Sequence, residues 1–157
     1  MALTKVTAAV LADNSVDSDN YVDGSIDTAH LANDSVTHDK LEARFTAKQD
    51  ISTTSGTINL DASSYGMFEL TGTLTTVTLN IQNIKKGQAV DILLSGTLSS
   101  AVITLSDDFT TSAINRVGAT ELDTAATNII QILCIDDNDS DAILTYAIAA
   151  YAADTTP

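Results

Sequence analysis

The densest group of chemically capable side chains is the acidic run Asp136-Asp-Asn-Asp-Ser-Asp141. Asp137, Asp139 and Asp141 share the spacing of the first three ligands of an EF-hand calcium loop. That loop also needs a glycine at its sixth position and a bidentate glutamate at its twelfth. Ala142 and Ile148 stand there instead. Apolar runs on both sides predict a solvated hairpin tip, and no metal is expected. His30 and His38 have no carboxylate triad or cysteine pair at metal-ligand spacing. The single cysteine, Cys134, excludes an internal disulfide, and within Ile129-Ile-Gln-Ile-Leu-Cys-Ile135 it reads as an inert core thiol. The chain has no Gly-x-Ser-x-Gly elbow, phosphate-binding Gly-rich loop or His-Glu-x-x-His. It is therefore read as not an enzyme, with no cofactor. Sugar sites use aromatic platforms beside polar groups, and Tyr65 is the one aromatic flanked by turn residues, in Ser63-Ser-Tyr-Gly66. Tyr65 is the candidate receptor contact.

Two kinds of segment must carry these residues, and the first is a ten-residue repeat. Leu11-Ala-Asp-Asn-Ser-Val16, Tyr21-Val-Asp-Gly-Ser-Ile26 and Leu31-Ala-Asn-Asp-Ser-Val36 repeat one phrase, and Leu41 opens a fourth. Apolar residues thus recur every five positions, at Val6, Leu11, Val16, Tyr21, Ile26, Leu31, Val36 and Leu41. On a helix a step of five advances about 500°, so these side chains form no stripe. On a plain strand they alternate between faces. The Asp-Asn-Ser-type triplets favour turns, which predicts extended stretches broken by regular bends. Such a chain cannot bury its apolar residues alone. Chains wound around a common axis can, and so can a groove on another protein. These eight residues are the candidate oligomerisation and anchor positions; a disordered acidic linker is the bland alternative.

With 157 residues and a formal charge of −14, one domain plus an appendage is expected, and a nucleic-acid footprint is not. Lys85-Lys86 is the sole adjacent basic pair among seven basic residues. Anionic membranes are disfavoured for the same reason, and no apolar run approaches the ~18 residues of a membrane span. Met-Ala-Leu-Thr-Lys5 lacks a signal-peptide core, so the chain is expected to stay in a cytoplasm until assembly.

Thr37–Lys48 holds the one credible helix, with Asp39 and Glu42 placed as a capping box and Leu41 and Phe45 spaced i,i+4. It would act as a neck; a loop is the bland alternative. From about Asp50 the texture becomes short alternating segments at 56–60, 67–70, 74–81, 88–94, 101–105, 128–135 and 142–151. The fold class expected is all-β: a β-sandwich or jelly-roll-like head over residues 50–157, preceded by an extended repeat-containing arm over residues 1–49.

The opening Met-Ala-Leu-Thr-Lys-Val6, together with Asp23-Gly-Ser-Ile-Asp-Thr-Ala-His-Leu-Ala32 and Asn33-Asp-Ser-Val-Thr-His-Asp-Lys-Leu41, resembles the repeats of tail-fibre-type proteins of tailed bacteriophages, marine ones especially. The second half is similar to the terminal knobs of such fibres in Leu70-Thr-Gly-Thr-Leu74, Lys86-Gly-Gln88 and the Asp136–Asp141 turn. Knobs of this sort often carry Trp-Tyr after the last turn, where this chain has Leu144-Thr-Tyr146. The resemblance implies a homotrimeric structural protein of the virion, assembled in the host cytoplasm. Its partners would be itself, other virion structural proteins and a host surface receptor, with no nucleic acid and no membrane insertion. The runner-up reading is a capsid decoration or cement protein, its arm lying across the shell and its β-domain clamping capsomers. An accessory module binding carbohydrate or cations is a third class without a supporting site.

Overall fold

The computed structural model describes residues 31, 35–98 and 101–151. Leu41–Pro157 clusters as one compact unit, separate from Met1–Lys40. Most of the described chain is β-structure, so the all-β expectation holds at that level. All seven expected strands are present: β2 (Gly56–Asp61), β3 (Met67–Leu70), β4 (Thr76–Gln82), β5 (Ala89–Leu94), β6 (Val102–Asp107), β8 (Thr127–Asp136) and β9 (Ala142–Tyr151). Two more, β1 (Lys48–Ile51) and β7 (Ser112–Arg116), were not anticipated.

The connections differ from a jelly roll, which is built of antiparallel Greek keys. β1 to β6 alternate between two sheets, odd strands in one and even strands in the other. β1, β3 and β5 pair in parallel, and so do β2, β4 and β6. The chain therefore winds through three turns of a parallel two-sheet coil. After β6 it adds antiparallel β8 and β9 to the odd sheet, with β7 parallel to β9 at the edge. The final sheets have the orders β1-β3-β5-β8-β9-β7 and β2-β4-β6. The jelly-roll-like expectation is corrected accordingly. Alternation tells which face a residue occupies, but it leaves open which strand lies next door.

The register shows why the coil stacks. Ile58 lies beside Leu79 and Leu79 beside Leu105, while Leu60 lies beside Ile81, all on the inner face. Rows of like polar residues occupy the outer face of the same sheet: Thr57–Thr78–Thr104 and Asn59–Asn80–Ser106. Along the second row Asn80 Nδ2 donates to Asn59 Oδ1 at 3.1 Å, and Ser106 Oγ donates to Asn80 Oδ1 at 2.9 Å. Phe68, Leu70, Ile92, Leu94, Ile130, Ile132 and Leu144 from the larger sheet join the same core.

Corners are stacked as tightly as strands. Leu70-Thr-Gly-Thr-Leu74 recurs as Leu94-Ser-Gly-Thr-Leu98 one turn later. Gly96 N donates to Leu70 O at 3.0 Å, and Leu74 N to Thr97 O at 2.9 Å. A Cβ on Gly96 would lie 1.9 Å from Gly72 O, closer than any real contact. Glycine is required there by the approach of one backbone to the next.

The expected helix over 37–48 shrinks to a 3-10 turn, His38–Lys40, and one α-turn, α1 (Ala43–Thr46). Glu42 occupies the N-cap with no side-chain capping bond; its carboxylate instead pairs with Arg44 Nε at 2.8 Å. A helix this short is held by its surroundings, since one turn does not repay nucleation. Among the described residues no helix is long and apolar enough to cross a membrane.

Candidate functional site

The acidic turn is the tip of the antiparallel β8–β9 hairpin. Asp139 is committed within the fold: its Oδ1 accepts from Thr110 N at 2.9 Å and its Oδ2 from Thr110 Oγ1 at 2.7 Å. Those bonds favour the ionised form and hold its carboxyl below the usual range. Asp139 thus ties the hairpin to the loop before β7. Asp136 pairs with Lys86 Nζ at 3.5 Å. Among the described residues, no three His, Cys, Asp or Glu side chains are placed to hold a metal ion.

Tyr65 follows β2 in a turn organised by Asp61, whose carbonyl accepts from Tyr65 N at 3.1 Å. Its ring meets Phe68 edge-on, with centroids 6.1 Å apart and planes at 65°. It is half-buried against the core, so only part of it faces outward. Of the anchor positions, Leu31, Val36 and Leu41 are exposed by 46%, 56% and 45%. Val6, Leu11, Val16, Tyr21 and Ile26 lie outside the described residues, as does His30. Cys134 is fully buried on β8, and burial raises its thiol pKa. His38 is exposed beside Asp39 at 4.0 Å. Neither arrangement activates a nucleophile.

Sequence reading missed a cleft of about 440 Å³. It follows from strand number: three strands cannot cover six, so the inner face near β7 and β9 is left partly open. Ile130, Tyr146 and Ile148 form its floor, with Arg116 on one side. Consecutive Ile103, Thr104 and Leu105 all line it, although their side chains alternate between faces. What β6 presents is therefore its edge. Buried Asn128 fixes the loop that closes the far wall: Nδ2 donates to the carbonyls of Asp123 (2.8 Å) and Ala126 (2.9 Å), and Oδ1 accepts from Asp123 N (2.8 Å). Arg116 is held by Glu121 at 2.7 Å and by the Thr120 carbonyl. β7 escaped the sequence pattern because Ile114 is its single large aliphatic residue.

A second hollow, about 330 Å³, gathers Arg44, Lys85 and Lys86 around Gly87. The Arg44 guanidinium lies 4.5 Å over the Phe45 ring. Carboxylates already offset much of this charge: Glu42 pairs with Arg44 and Asp136 with Lys86. Nearby Lys48 is paired with Asp50 at 2.8 Å and with Glu69. Nothing in these two hollows sets a nucleophile beside a base. No protein-family model, curated protein or solved structure matches the chain.

Proposed function

We propose that the chain is a non-catalytic structural subunit of a tailed-phage virion, a short homotrimeric fibre or appendage. The decapeptide repeat carries this reading, because its one apolar residue per five cannot be buried within a single chain. The exposure of Leu31, Val36 and Leu41 in the isolated chain supports it. In this reading residues 1–49 anchor and associate, and the two sheets are the layers of a β-sandwich head displayed at the end. Attachment works through avidity: identical heads on one rod multiply weak contacts. Tyr65 remains the candidate receptor contact. Gold-labelled antibody against the head, counted on purified virions, tests the assignment. A few copies at the tail are expected; copies spread across the capsid, or none on the particle, would overturn it.

A further inference from the structure

The small sheet stops one strand short of its core. Val77 and Leu79 on β4 are buried, whereas Ile103 and Leu105, beside them on β6, are only half-buried. Across the 440 Å³ cleft Ile114, Tyr146 and Ile148 are half-buried too. The backbone shows the same vacancy. Val102 N donates to Thr75 O, so in this parallel ladder residues 102, 104 and 106 bond β4. The N–H and C=O groups of Ile103 and Leu105 therefore face the open side, and among the described residues no backbone group pairs with them. β6 also lacks the usual defences of an edge, having no Lys, no Pro and no register shift. The edge strand β1, by contrast, carries Lys48 and Asp50. An open edge above apolar side chains suits an extended strand: backbone pairs with backbone, and every second side chain enters the cleft.

We infer that the strand added to β6 is residues 6–12 of a neighbouring copy, an inference that rests on the homotrimer reading above. The occupant needs apolar residues at every second position. Val6, Ala8, Val10 and Ala12 form the one run of four such residues among residues 1–34. It must also be poor in carboxylates, since Glu121 stands at the cleft and Asp107 ends β6. Residues 1–12 contain no Asp or Glu, whereas each of the three repeat phrases carries at least one Asp. Lys5, the one charged side chain of that stretch, suits a head in which acidic residues outnumber basic ones. Residues 152–157 are a poorer fit, with Asp154, no large aliphatic residue and a proline that cannot donate to a ladder. Each copy thus both gives and receives a strand. Such a contact is heterologous, and it closes a ring when the rotation permits.

The test uses full-length chains. A tagged Ala9→Cys chain is co-expressed with an untagged Thr104→Cys chain, and the product is treated with a short bis-maleimide. With Val6, Ala8 and Val10 turned into the cleft, Ala9 faces outward, as exposed Thr104 does on β6. Buried Cys134 should stay unlinked. A covalent band of one tagged and one untagged chain is expected. Adding Val10→Asp to the tagged chain turns a carboxylate into the cleft and should abolish that band, with the β-sheet circular dichroism unchanged. A band that survives Val10→Asp would overturn the inference. So would a trimeric mass by light scattering with no mixed band, or a double variant, Ala9→Cys with Thr104→Cys, that links only within its own chain; both leave the homotrimer standing. A monomeric mass for the unmodified chain at every concentration would overturn both readings.

Discussion

Removing the Asp61 carboxylate should loosen the corner that joins successive turns of the coil. Asp61 Oδ1 accepts from Ser63 N (3.1 Å), Ser63 Oγ (2.7 Å) and Asn83 Nδ2 (2.9 Å), and Oδ2 accepts from Ser64 Oγ (2.9 Å). Asn83 itself holds a left-handed backbone, φ 57°, and its N–H donates to Asp108 Oδ2 at 3.0 Å. The Asp61 carboxylate thus clamps the end of β2 to Asn83 at the end of β4, and the Asp108 carboxylate ties Asn83 in turn to the end of β6. The Asn83 amide first, then the Ser63 hydroxyl, lower the Asp61 pKa from 3.8 to about 2. At about 1.36 kcal/mol per unit the shift corresponds to roughly 2.4 kcal/mol. Solvent at this surface corner reduces that to about 1–2 kcal/mol. Because the folded pKa is depressed, the stabilisation is fully present above pH 3.8 and is lost as pH falls through about 2. Urea unfolding of Asp61→Asn at pH 7 should show a lower midpoint at unchanged slope, by about 0.5–1 M. The difference from the unmodified protein should fade as the pH approaches 2. A pH 7 midpoint equal to that of the unmodified protein would refute the clamp, and a deficit equally large at pH 2 would refute its ionic origin.

Three further outcomes follow from the same structure. Gly96→Ala should prevent accumulation of folded protein or cost several kcal/mol, since backbone rather than a pliable side chain blocks the new methyl; soluble expression and thermal melting report this. Cys134 should resist maleimide in native buffer and react on unfolding in urea, because it is buried with a raised pKa. Leu31→Asp with Val36→Asp should reduce the mass measured by light scattering toward one chain without changing the β-sheet circular dichroism, as buried unpaired charge is costly; an unchanged oligomer would show that these positions do not associate.

Strand positions were legible because alternation is written into segments such as Leu74–Ile81 and Asn128–Ile135. Strand partners were not, although a signal existed. The pair Leu70-Thr-Gly-Thr-Leu74 and Leu94-Ser-Gly-Thr-Leu98, read together with the Thr-x-Asn phrases at Thr57 and Thr78, marks successive turns of one coil. β1 was hidden by its single buried aliphatic residue, Ile51, and β7 by the lack of any fully buried one. The helix was over-read because Glu42 uses its carboxylate on Arg44 and not on the backbone. The cleft beside Tyr146 was invisible for a different reason: it arises from a mismatch in strand number between sheets, which no local pattern encodes. The exposed Leu133 and Ile135 were in plain view, yet the stretch Ile132-Leu-Cys-Ile135, apolar at every position, does not say which residues point outward until its register is known.

The absolute mass of the purified full-length protein in solution tests the central claim most directly. Light scattering across a range of concentrations should give about 49 kDa, three copies of the 16.4 kDa chain. A constant 16.4 kDa would contradict a self-associating fibre subunit.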